Sequence, residues 1–192
     1  MTLPATGGGP FSDSLITVDA PGVVTTGVLN VSTQGARLGE HAGNAQSSAQ
    51  VAGVAALVDV LTADLVTSSC TSNGDGSSAT TTLANANVSG IGAIGANPAP
   101  NTVITVADVA TITFNEQTRS DVPGQQTSIT VNAIHVRLNA LVGTGDIVIA
   151  QSQCSAIGPD VLAPAPVPPV TTPPAPVNPA ASTVLVNPRF TG

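Results

Sequence analysis

Tryptophan, tyrosine and lysine are absent from this chain, and charged side chains make up only 8% of its 192 residues. Each absence removes a class of function. Exposed Trp and Tyr are the usual platforms for sugar rings, so a lectin-like surface is disfavoured. Without lysine no Lys–Asn isopeptide bond can join subunits, so a polymer would have to form by strand addition or surface packing. The four cations are Arg37, Arg119, Arg137 and Arg189, and the net charge is −7. Nucleic acid is therefore not expected as a partner, because phosphate binding needs clustered positive charge. An anionic membrane surface is disfavoured on the same ground. No apolar run is as long as a membrane-spanning helix, so no membrane insertion is expected. The N-terminus, MTLPATGGGP, lacks the charged and apolar regions of a signal peptide, so either the protein stays in the cell or, the reading favoured, this is a mature or recombinant form with an added Met.

What the chain does have is Val, Thr, Ile and Ala, divided by Gly, Asn and Ser. Hydrophobic residues make up 42% of it, too many for a disordered chain of this low charge. That composition suits many short strands and turns. Alternation places strands at 14–19, 27–33, 80–88, 91–95, 103–106, 111–116, 128–138 and 146–151. Residues 1–13 read as a linker, 35–50 as a polar loop or edge, and 97–101 as a loop. Turn signals stand at Pro21-Gly22, 71–79, Pro123-Gly124 and Gly143-Thr144-Gly145. Segment 50–67 fits either a helical stripe of Val51, Val54, Ala55, Val58, Leu61 and Leu65 or two strands joined near Thr62. Strands every ten residues or so predict an all-β fold: a single β-sandwich or jelly-roll-like domain over 14–158.

Ten of the 16 prolines lie from Pro159 onward. Proline lacks the N–H donor and fixes φ, so 159–181 can form neither a helix nor an interior strand. It can form an extended polyproline II arm, of which the roughly 21 residues 159–179 at ~3.1 Å each would reach about 65 Å. Beyond the arm a strand-like peptide is expected over 182–190. Val184 and Val186 fall on one face, Thr183, Leu185 and Asn187 on the other, with Ser182 and Phe190 at its ends.

Cys70 and Cys154 are expected to pair, the alternative being two buried thiols. The bond would close a loop of 84 residues, which the chain-entropy model values at about 4.5 kcal/mol. It would fit an extracellular setting.

The segments ITVDAPGVVTTGVLNVST, LTADLVTSSCTSNGDGSS, ATITFNEQTRS, ITVNAIHVRL and GDIVIAQSQC together resemble the choice-of-anchor P family of secreted actinobacterial surface proteins. The resemblance covers 15–154, and its most specific pieces are Phe114-Asn115-Glu116-Gln117 and Val131-Asn132-Ala133-Ile134-His135-Val136. It implies an extracellular, β-rich module with a structural or adhesive role, and it favours strands over 50–67. The family carries no catalytic residues over to this chain. Two departures stand out. The chain starts at the linker that members place after another apolar strand, and it ends in STVLVNPRFTG where members often carry an anchor. Leu3-Pro4-Ala5-Thr6-Gly7 spells a sortase motif, but at the wrong end of the chain, and reads as linker.

Few residues suggest chemistry. His41 and His135 are the only histidines, and no G-x-S-x-G elbow accompanies them. The spacing of histidines and cysteines fits no zinc motif, so no metal or other cofactor is expected. Asp59 and Asp64 could be a carboxylate pair but read better as solvated residues. Ser72-Asn73-Gly74-Asp75-Gly76 could offer oxygens to calcium, yet a plain hairpin turn explains it more simply. The expected function is therefore not enzymatic. It is a self-assembling surface protein, a filament or pilus-like subunit whose C-terminal peptide is donated to another copy of itself. The alternative is a monomeric secreted adhesive or ligand-binding module on a proline-rich stalk, in contact with the cell wall or a host surface.

Overall fold

A computed structural model describes residues 7–15, 17–20, 22–37, 43–122, 124–139 and 144–158. The proline-rich arm, the peptide 182–190 and His41 lie outside the described residues. Among these residues every regular element is a strand, and the strands form two antiparallel sheets, as the all-β expectation required. Among the described residues no helix is long and apolar enough to cross a membrane.

The large sheet is built from β1 (Gly7–Leu15), β4 (Leu29–Arg37), β5 (Gly43–Ala56), β6 (Leu61–Asn73) and β7 (Gly76–Ala84), in that order. Short strands extend it: β2 (Val18–Ala20) and β3 (Val24–Thr26) beside β5, β8 (Asn87–Val88) and β9 (Gly92–Ala93) beside β6. The small sheet runs β10 (Thr102–Val106), β11 (Ala110–Val122), β12 (Gln126–Leu138), β13 (Asp146–Ile157).

Three expectations change. Residues 7–13 are not linker but most of β1, hydrogen-bonded along β4. Residues 43–50 are not a loop but the first half of β5. Segment 50–67 is indeed two strands, but their turn lies at 57–60, ahead of Thr62.

At one level across both sheets the ladders skip a pair and the side-chain alternation inverts. Gly53 faces Asp64 between the pairs Ala52–Leu65 and Val54–Ala63. Asn115 faces Ala133, and Ala133 faces Ala150, in the same way. Gly53, Asn85, Asn101, Asn115 and Ala150 have φ of +58°, +49°, +58°, +51° and +54°, a region that Gly and Asn enter most easily. On β12, Ile129 and Val131 point inward before this level, and Ile134 and Val136 after it.

The inversion divides the core. On one side pack Leu61, Ile112, Phe114, Ile134 and Val136. On the other, Cys70 and Cys154 are bonded between β6 and β13, against Ile129 and Val131. Two residues before the disulfide, the Ser68 and Ser152 hydroxyls meet at 2.7 Å; two beyond Cys70, Ser72 meets Thr127 at 2.6 Å. Small side chains let the sheets approach: the two cysteine Cα atoms are 5.9 Å apart, against about 10 Å between the sheets of an ordinary sandwich.

Candidate functional site

The two sides of the sandwich differ. On one, β7 and β11 are tied by side chains. Gln117 Nε2 donates to Ala79 O at 3.1 Å, and Ser77 donates to Asp121 from its hydroxyl at 2.7 Å and its amide at 3.2 Å. Burial would raise the Asp121 pKa, but these bonds, another from the Ser128 amide and the Arg119 charge hold it below the ordinary value.

The other side is open. β13 lies over β5 and β6, β12 over β6 and β7, and β4 and β1 extend beyond them. One inward-facing row shows this: Leu83, Val66, Val51, Leu29 and Leu15 are successive neighbours across β7, β6, β5, β4 and β1. Val66 is 0% exposed and Val51 4%, whereas Leu15 is 55% exposed. Phe11, on the row through Thr33 and Ser47 to Cys70, is 40% exposed. Among the described residues β13 is hydrogen-bonded only to β12. A groove of about 420 Å³ follows its outer edge, with Val31, Thr33, Ala45 and Ser47 on one wall and Gln151, Gln153 and Ser155 on the other.

The outer face of the small sheet carries most of the nearby charge. His135 bridges two carboxylates, with Nδ1 2.9 Å from Glu116 Oε2 and Nε2 3.0 Å from Asp146 Oδ1. Asn132 donates to Glu116 at 2.7 Å, Gln151 to Asn132 at 2.8 Å, and Arg137 Nε to Asp146 at 3.3 Å. Burial opposes ionisation of Glu116, but the Asn132 and His135 bonds, with the His135 and Arg137 charges, hold its pKa below the ordinary value. The His135 bond, despite slight desolvation, and the Arg137 bond and charge do the same for Asp146. A histidine base needs one ring nitrogen free to face a nucleophile. Here both nitrogens face carboxylates, so the cluster joins β11, β12 and β13 rather than presenting a base.

The remaining candidates are separate. The Asn73 carboxamide accepts from the amides of Asp75 and Gly76, both at 3.0 Å, so the would-be calcium loop is a hairpin turn closed on itself. Asp64 accepts from Asn85 at 2.6 Å, while Asp59 sits in the turn after β5. No group of three metal-ligating side chains converges among the described residues. Sequence reasoning missed the partners of His135, because Glu116 and Asp146 reach it only through strand pairing. It also missed the open edge, because neighbour order is not written along the chain. No family model matches the chain, and no curated protein or solved structure matches it either.

Proposed function

We propose that this chain is an extracellular structural protein that assembles with copies of itself, each donating its C-terminal peptide to the next as a strand. One observation carries the reading: the small sheet stops short of the large one, beside the outer edge of β13, which pairs with no strand among the described residues. Unpaired edges recruit strands, and folded proteins cover them. Strand addition supplies ladder hydrogen bonds, and alternate side chains fill the floor beneath. Ordering the donor costs ~1–2 kcal/mol per residue, which burial of the side chains on its inward face together with the new ladder would offset. The Cys70–Cys154 bond supports an oxidising, extracellular setting, and the resemblance to choice-of-anchor P proteins accords with a cell surface. The engaged ring of His135 supports a non-enzymatic role.

Electron microscopy of the full chain and of a chain lacking 180–192 tests this. Filaments or other regular assemblies are expected from the full chain only. Identical assemblies from both would overturn the donated strand. Assemblies from neither would also overturn it and leave a monomeric adhesive module on a proline-rich stalk.

A further inference from the structure

Resting on that reading, the geometry points to a row-by-row match that fixes how the donated strand lies: parallel to β13, with Leu185, Asn187 and Arg189 of a second copy over β1 and β4. The floor beyond β13 has three successive rows. Leu15 lies beside Leu29, Asp13 beside Val31, and Phe11 beside Thr33. They face inward, because Leu29, Val31 and Thr33 pair in turn with Val51, Ala49 and Ser47, the first two of them core residues. The rows therefore read apolar, acidic, aromatic. Asp13 is the one carboxylate on β1, and β4 has none.

The donor has the complementary order at the same spacing. Leu185, Asn187 and Arg189 are two residues apart, so they share one face of a strand. Leu185 over the leucines places apolar on apolar. Asn187 over Asp13 offers two N–H donors to a carboxylate. Arg189 over Phe11 meets an aromatic ring, within one row of Asp13, and Arg favours both contacts. Arg189 is the only charged side chain from 182 onward, while the body through Gly158 holds ten carboxylates and three arginines, so the overall fields also attract.

Direction follows from the rows. Ser152 meets Ser68 on the Asp13 row, and Cys154 is bonded to Cys70 on the Phe11 row. β13 thus runs from Asp13 towards Phe11, the sense in which the donor runs from Asn187 to Arg189. The arm argues for a second copy. Docking parallel to β13 of its own domain would require the arm to double back along the strand it leaves, to which a stiff polyproline II segment is poorly suited, whereas such a segment, extended to about 65 Å, would reach a neighbour.

The test uses the full chain with Asp13→Arg, Arg189→Asp and both together, measuring the critical concentration for assembly by sedimentation at low salt. Each single reversal is expected to raise it about five-fold, and the double reversal to return it to within about two-fold of the wild type. The differences should shrink at 1 M salt, where charges are screened within about 3 Å. Asp13→Asn should weaken assembly less than Asp13→Arg, and thermal melts of all variants check the fold. Single variants that assemble like the wild type, or a double variant no better than the worse single, would overturn the match. The chain lacking 180–192 separates this from failure of the assembly reading: if it assembles like the full chain, donated strands are not used at all.

Discussion

Leu57, Val58 and Asp59 form a run at φ of +56°, +53° and +62° in the turn between β5 and β6. Left-handed backbone costs an L-residue roughly 1–2 kcal/mol, and a β-branched side chain suffers most. The turn is held at both ends, with Leu57 N donating to Val23 O at 2.9 Å and Ser89 N to Val60 O at 2.8 Å. Val58 is 80% exposed, so its side chain contributes little to packing. Val58→Gly is therefore expected to stabilise the domain by about 1 kcal/mol, read as a higher denaturation midpoint; a lower midpoint would show that the strain is absent. Phe114 is the opposite case, at 0% exposure in the apolar half of the core. Phe114→Ala should cost about 3–5 kcal/mol in the same experiment. The carboxyls of Glu116, Asp121 and Asp146 all titrate below their ordinary values of 4.5, 3.8 and 3.8. Each binds its proton more weakly when folded, so the unfolded chain takes up protons first. Their contribution is fully present above the unfolded values and is lost as pH falls below about 4 through the folded ones. Chemical denaturation between pH 6 and pH 2 should show this loss, and Glu116→Gln should make it shallower.

Among the elements, β1 and the outer half of β5 show what alternation can and cannot reveal. Residues 111–116 and 128–138 alternate clearly because their inner positions face a core of Ile, Val and Phe. In 43–50 the inner positions are Ala45, Ser47 and Ala49, since the sheets there are too close for larger side chains, and the segment reads as polar loop. β1 is exposed along most of its length, so nothing demands an apolar face, and GGGP reads as linker. The inversion of alternation was also illegible, although Asn85, Asn101, Asn115 and Gly53 are residue types that tolerate the required backbone. The pairing of Cys70 with Cys154 was legible from composition alone. The open edge of β13 was not, because the order of neighbours across the sheets is not written along the chain. An edge strand with one partner and little burial should open readily. Amide exchange in β1 is expected to be much faster than in β6 and β12, whose inner residues are almost all buried. Equal protection would show that β1 is covered.

At the scale of the molecule, two unequal sheets are joined covalently at one point. Reduction of the disulfide should lower stability by about 2–5 kcal/mol, and a mass gain of two hydrogens on reduction would confirm the bond. Its position also decides how the domain carries tension. Cys154 is the fourth residue from the end of β13, so a pull on the C-terminal arm can peel only that short stretch before it reaches a covalent link. From there the load passes straight to Cys70, in a strand bonded on both sides within the large sheet, and the segment between them, a sequence separation of 84, is bypassed. In single-molecule stretching, that segment should add no length until the bond is reduced. Reduction should then release roughly 290 Å of additional contour, so the oxidised domain would behave as a short tether and the reduced one as a long one.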